Sequence, residues 1–166
     1  MRRALCVFAA VFNLVLVDAV AKELAAGFLR GEPPLPVIDG LFSLAYVENR
    51  GCAWGLFQGH VWPLALFGIV ALALLVWKRK SVFPEYPRSK AKNFLSSAAE
   101  VMLYAGIVGN VVDRVARGYV IDFFDFHWRG SHFPCFNIAD SCITLAAAIL
   151  VALSFSNDAR RTEAKQ

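Results

Sequence analysis

Apolar residues gather into four long runs along this chain, separated by polar stretches. The first extends from Ala4 to about Ala21 and the second from Val61 to Trp77. A third, less apolar, runs from about Asn93 to Val112, and a fourth from about Ile138 to Ser156. Each approaches the ~20 residues that a helix needs to cross a ~30 Å hydrocarbon core. The second is the sharpest, because PLALFGIVALALLVW stops abruptly at Lys78-Arg79-Lys80. The pattern predicts an α-helical integral membrane protein: one membrane domain over residues 1–166, with spans at about 4–21, 61–77, 93–112 and 138–156.

Composition agrees. Hydrophobic residues make up 58% of the chain and charged residues 18%, with a mean hydropathy of +0.52. Ordinary globular chains hold roughly 45–50% apolar residues and about 25% charged ones. This balance excludes a disordered chain, a nucleic-acid module and a disulfide-stapled secreted domain.

Orientation follows from lysine and arginine. Arg2 and Arg3 precede the first span. Lys78, Arg79, Lys80, Arg88, Lys90 and Lys92 lie between the second and third, and Arg160, Arg161 and Lys165 follow the fourth. Eleven of the 17 basic residues thus share one side. That side is expected to be cytoplasmic, with both termini and the loop 78–92 on it. Residues 22–60 and 113–137 then face outward. A cleavable signal peptide competes for the N-terminus, because Arg2-Arg3, an apolar run and Ala19-Val20-Ala21 fit its outline. Asp18 and Lys22, on either side of that site, speak against it.

The outward segments carry their own pattern. Residues 37–48 (VIDGLFSLAYVE) surround an Asp39-Gly40 turn signal and predict a short hairpin. Residues 119–128 (YVIDFFDFHW) are heavily aromatic and suit the membrane–water interface. A small β element on the extracytoplasmic face is expected.

Ionisable residues at the edge of a span are costly and point to function. Asp18 and Lys22 are four apart and share a helix face, as an anchoring ion pair or as a contact to substrate. Gly106, Asn110 and Arg114 are also spaced by four. Asp113 beside them could pair with Arg114 or Arg117. Arg114 itself could neutralise a carboxylate, hold a lipid phosphate or peptide carbonyl, or snorkel to the interface. Asn137, an N-cap candidate, shares a face with Asp140 and Thr144. Asp140 is either an ion-pair partner of Lys22 or Arg114, or one half of a catalytic pair with Asp122.

A catalytic pair would work as in aspartic proteases. Two carboxylates held close share one proton and titrate as a unit. The ionised member takes a proton from water, and the protonated one donates to the scissile carbonyl. Rival chemistries lack parts: Ser96, Ser97 and Ser141 have no evident base, and His60, His127 and His132 form no HExxH with an acidic partner. No metal or other cofactor is expected. Cys6 and Cys142 read as small buried apolar residues. Cys52 and Cys135 both lie on the outward side, where a disulfide is possible. Glu100 belongs to no cluster and is expected to snorkel towards the cytoplasm.

Taken in order, Asp18-x-x-x-Lys22, Asn49-x-Gly51-x-Ala53-Trp54, Gly109-Asn110-x-x-Asp113-Arg114, Val120-Ile121-Asp122-Phe123 and Phe136-Asn137-Ile138-Ala139-Asp140-Ser141 resemble the lipoprotein signal peptidase (signal peptidase II) family. The resemblance covers nearly the whole chain. It implies a four-helix bacterial inner-membrane aspartic endopeptidase that is a target of globomycin-type cyclic peptides. Such an enzyme cuts diacylglyceryl-modified prolipoproteins just before the modified cysteine. It further implies Asp122 and Asp140 as the catalytic dyad and Asn49, Asn110, Arg114 and Asn137 as polar site residues. Asp18 and Lys22 would serve architecture or substrate support, and a small outer sheet would cradle substrate. Membrane lipids and prolipoproteins are the expected partners, nucleic acid is not, and a monomer is expected. Cys52 and Cys135 depart from the small or apolar residues expected at their positions. Two other classes remain: a small transporter relaying protons through Asp140, and a lipid-binding assembly factor built on Arg114 and the aromatic surface.

Overall fold

The computed structural model describes residues 2–87 and 89–163. Arg88 and Lys165 of the basic set lie outside the described residues, as do the side chains of Arg2, Arg160 and Arg161. Helix α1 covers Arg2–Leu29, α2 Val61–Trp77, α3 Arg79–Val82, α4 Lys90–Arg117 and α5 Ile138–Glu163. Strands β1 (Leu35–Ile38), β2 (Phe42–Asn49), β3 (Val120–Trp128) and β4 (Ser131–His132) form one antiparallel sheet in chain order. Segments of α1, α4 and α5 are long and apolar enough to cross a membrane, and α2 is a shorter apolar helix of 17 residues.

The helices overrun three predicted ends, α5 continuing past Ser156 to Glu163. The first run was expected to stop near Ala21 and the third near Val112, yet α1 continues to Leu29 and α4 to Arg117. The charges that seemed to close those runs, Lys22 and Asp113, are buried against each other, so they end no helix. Helix α4 ends where Gly118 adopts a left-handed conformation (φ 78°) and its N–H closes on the Arg114 carbonyl.

The expected hairpin is present. Asp39-Gly40 turns β1 into β2, with Gly40 at φ 71°, a region that favours glycine. The aromatic segment does more than coat an interface: it is β3, paired with β2 from Phe42–Phe126 to Asn49–Val120. Its first four residues are buried, and Ile121 and Phe123 pack on Ala25 and Leu29 from the end of α1. Phe126 stacks on Phe42 and on Phe136, at 4.6 and 5.8 Å between ring centres. The sheet is thereby fixed to the ends of α1, α4 and α5 that carry the polar residues.

Helix α4 is the central element, touching α1, α2 and α5. Large side chains such as Phe8, Phe28, Phe67 and Trp77 stay exposed on the outer helix surfaces, as lipid-facing residues do. Cys6 lies on that surface too, which corrects its expected burial: it sits between Leu5 and Phe8 on the outward side of α1. Cys142 is buried as expected.

Small residues set the spacing of the bundle. A Cβ placed on Gly106 would lie 2.4 Å from the Ala139 carbonyl oxygen, and one on Gly109 2.8 Å from Asp18 Oδ2. Gly106→Ala is therefore expected to lower the melting temperature of the purified protein, although alanine favours an isolated helix by about 1 kcal/mol. An unchanged or higher melting temperature would show that α4 and α5 are not held this close.

Candidate active site

The polar end of the bundle is built from five elements. Helix α1 brings Asp18 and Lys22, and α4 brings Asn110, Asp113 and Arg114. Asn49 closes β2, and Asp122 lies on β3. Asn137 stands just before helix α5, which carries Asp140 in its first turn.

Asn137 is the pivot. Its side-chain oxygen accepts from the Asp140 N–H at 2.9 Å, and its own N–H donates to Asp140 Oδ2 at 3.3 Å. This reciprocal pair caps the helix in the manner of a capping box, with aspartate in the usual glutamate role. Its amide nitrogen is left free to donate to Asp122 Oδ1 at 2.7 Å. One fully buried asparagine thus holds both carboxylates. Asn49 Nδ2 donates to the other Asp122 oxygen at 2.9 Å, and Asn110 Nδ2 donates to Asp140 Oδ1 at 2.7 Å.

Lys22 sets the orientation of Asn110. Its ammonium, only 1% exposed, meets Asp18 at 2.7 Å, Asp113 at 2.8 Å and Asn110 Oδ1 at 3.3 Å. An ammonium only donates, so the amide oxygen must face Lys22 and the amide nitrogen must face Asp140. Asp18 in turn accepts from the Ala139 N–H at 2.9 Å, one residue before Asp140. The Asp18–Lys22 pair is buried, not a free interfacial anchor.

Of the two partners considered for Asp113, Arg117 is the one that meets it, at 3.1 Å. Arg114 instead donates to the carbonyls of Gly51 (2.9 Å) and Asn110 (3.3 Å). Gly51 N–H donates to Asn49 Oδ1 at 2.9 Å, so Arg114 steadies the turn that presents Asn49 to Asp122. Among the described residues neither Lys22 nor Arg114 forms an ion pair with Asp140, whose partners are Asn110 and Asn137.

Asp122 is 1% exposed. Burial, reinforced by the charge of Asp140, pushes its carboxyl up to about 7, against the opposing hydrogen bonds from Asn49 and Asn137. A cavity of about 540 Å³ opens beside the pair. Asn49, Asn110, Arg114 and Asp140 form its polar end, while Trp54, Phe136, Ile143 and Leu145 supply apolar wall. Asp140 faces this space directly; Asp122 sits behind it. No group of three or more His, Cys, Asp or Glu placed to hold a metal ion occurs among the described residues.

Sequence reasoning missed two clusters. Glu100 does not snorkel: it is buried, bound by both Nε and Nη2 of Arg79 and met by Arg3 at 3.6 Å. On the sheet, His132 pairs with buried Asp125 at 2.8 Å and His127 meets Ser43 at 3.1 Å. The partners of Asp125 and His127 come from strands β4 and β2, so local spacing gave no sign of either contact. Cys52 and Cys135 are both free thiols and both line the cavity.

Comparison with known proteins follows the same lines. A family model described as signal peptidase (SPase) II matches residues 10–156. The chain is 33% identical over 153 residues to a lipoprotein signal peptidase of Geobacter sulfurreducens, covering 92% of each chain. It is 36% identical over 143 residues to the lipoprotein signal peptidase of Clostridium acetobutylicum, covering 84% of this chain and 88% of that one. A solved structure described as a bacterial membrane enzyme superposes with a TM-score of 0.72 at 29% identity, covering 93% of this chain and 89% of its own. A second with the same description gives 0.71 at 29% identity, covering 89% and 90%.

Proposed function

This chain belongs to the signal peptidase II family of membrane peptidases, and from that premise we propose that it cuts diacylglyceryl-modified prolipoproteins by an aspartic mechanism, with Asp122 and Asp140 as the catalytic pair. The observation that carries this reading is the double grip of Asn137, which binds a carboxylate on β3 and another on α5 through one buried side chain and its backbone.

Asp140, facing the cavity, is the base that takes a proton from water. The water oxygen attacks the scissile carbonyl, and the carbonyl oxygen accepts the proton held on Asp122. Collapse of the tetrahedral species returns a proton to the leaving amine and breaks the C–N bond. Asn49 and Asn110 keep the carboxylates in place, while Arg114 fixes the Asn49 turn. Asp18 and Lys22 act through the network: they hold the start of α5 and the amide of Asn110.

The setting fits the substrate. Every residue of the pair and its network lies at the sheet end of the bundle, whereas Lys78-Arg79-Lys80 lies at the other. In the proposed topology both termini are cytoplasmic, and the site sits near the extracytoplasmic face of a bacterial inner membrane. The enzyme acts as a monomer there. The acyl chains of the modified cysteine stay in lipid while the peptide bond enters the cavity.

The test uses purified enzyme, a diacylglyceryl-modified prolipoprotein and its unlipidated precursor, each with and without EDTA. Cleavage of the lipidated form only, insensitive to chelator, is expected. Equal cleavage of both precursors would remove the substrate assignment, and loss of activity with EDTA would bring back a metal mechanism.

The pH dependence has a defined sign. The pair needs one proton, and Asp122 holds it with its carboxyl raised to about 7. kcat/KM is therefore expected to fall as pH rises through about 7, with an apparent pKa that belongs to the pair. A profile still rising beyond pH 8 would contradict the assignment of the proton.

A further inference from the structure

Two thiols stand in the cavity wall where the reaction is proposed to occur. Cys52 follows the Asn49–Gly51 turn, and Cys135 precedes Phe136 and Asn137. Both are free, both are partly exposed, and both border the same space as Asp140. The segments that bear them meet in the cavity wall, where Trp54 and Phe133 pack edge to face with ring centres 5.6 Å apart. Each cysteine is two residues from its half of that contact. The backbone at Trp54 is left-handed (φ 62°), and a Cβ on Gly51 would strike the Leu56 carbonyl at 2.5 Å, so little slack surrounds the Cys52 turn.

We propose that Cys52 and Cys135 make this wall a thiol-reactive site that takes small organic disulfides and alkylating electrophiles, and that filling it stops cleavage. The inference rests on the reading of the cavity as the catalytic space.

The two thiols differ in surroundings. Arg114, which binds the Gly51 carbonyl at 2.9 Å, places its guanidinium within electrostatic range of Cys52. Cys52 is partly exposed in the cavity wall, where a small electrophile can reach it. The Cys52 thiol also donates to the Leu56 carbonyl at 3.4 Å, which holds it at the cavity edge. Burial, together with Asp125 and Asp122, pushes the Cys135 thiol up to about 11 and slows its attack. Cys52 therefore reacts first.

The exchange balances without another reactant. The thiolate of Cys52 attacks one sulfur of a disulfide RSSR, a new S–S bond forms and the old one breaks. RS⁻ leaves and takes up the proton that Cys52 released. The Cys52 sulfur is oxidised and the departing sulfur reduced. The group R then occupies space beside Asp140 and Arg114 that the peptide needs.

The experiment treats the full-length enzyme in detergent with oxidised glutathione or N-ethylmaleimide. Intact mass and cleavage of a diacylglyceryl-modified prolipoprotein are followed together, each variant against its own untreated rate. Cleavage is expected to fall in step with the adduct, by at least about 100-fold at full modification, as displacement of a bound reactant does. Dithiothreitol restores the glutathione-treated enzyme only. Cys52→Ser loses the fast phase, and Cys52→Ser/Cys135→Ser loses all inhibition. Full modification at normal rates, inhibition that persists in the double variant, or no adduct after prolonged treatment would each overturn the proposal. If the catalytic reading fails instead, adducts form while Asp140→Asn cleaves normally, so the two failures separate.

Discussion

Lys22→Met is expected to lower the stability of the folded protein by about 3–5 kcal/mol, the usual result of removing one partner from a buried charge cluster. Lys22 is 1% exposed and neutralises Asp18 at 2.7 Å and Asp113 at 2.8 Å. Methionine fills similar space but leaves two carboxylates facing each other, with only Arg117 still on Asp113. Asn110 also loses one of the two donors to its amide oxygen, keeping only Asn137 Nδ2 at 3.3 Å, so its hold on Asp140 weakens and cleavage falls with stability. Thermal unfolding in detergent is the measurement. Adding Asp18→Asn to Lys22→Met should recover part of the loss, because it removes one of the stranded charges. A melting temperature equal to wild type would show that Lys22 does not hold the network together.

Much of this architecture was readable from the chain. Four apolar runs gave the bundle, and Asp39-Gly40 gave the hairpin. What stayed hidden has one physical cause: partners far apart in sequence. Lys22 and Asp113 read as the ends of spans because each alone is a charge that lipid rejects; only their pairing lets α1 and α4 continue past them. Glu100 read as a stray carboxylate because its partners, Arg79 and Arg3, come from other elements.

The site shows the same division. Spacing placed Asn137 and Asp140 on one face, and capping chemistry suggested the role of Asn137 at the start of α5. Nothing in the spacing showed that the same side chain would also bind Asp122, since that depends on how β3 meets the helix. Aromatic density in residues 119–128 pointed to an interface. What makes it a central strand, buried on both faces so that Asp122 and Asp125 are enclosed on opposite sides, does not show in a nearly continuous apolar run.

Asp140→Asn is expected to lower cleavage by at least about a thousandfold, within the range for loss of a positioned acid or base. The substitution keeps the shape of the side chain but removes its capacity to take a proton from water. It is the cleaner of the two carboxylate variants. An amide at Asp140 can keep its oxygen towards Asn110 Nδ2 (2.7 Å) and give up only the longer contact with the Asn137 N–H (3.3 Å). At Asp122 both partners are amide donors at short range, 2.9 and 2.7 Å, so Asp122→Asn sets two donors against each other and costs stability as well.

The central claim is that this carboxylate pair performs the hydrolysis. It is tested most directly by the single-turnover rate at which folded Asp140→Asn cuts a diacylglyceryl-modified prolipoprotein. Saturating enzyme and a wild-type melting profile serve as controls. The predicted result is bound substrate with cleavage at least about a thousandfold slower than wild type. A rate within a few-fold of wild type would contradict the account.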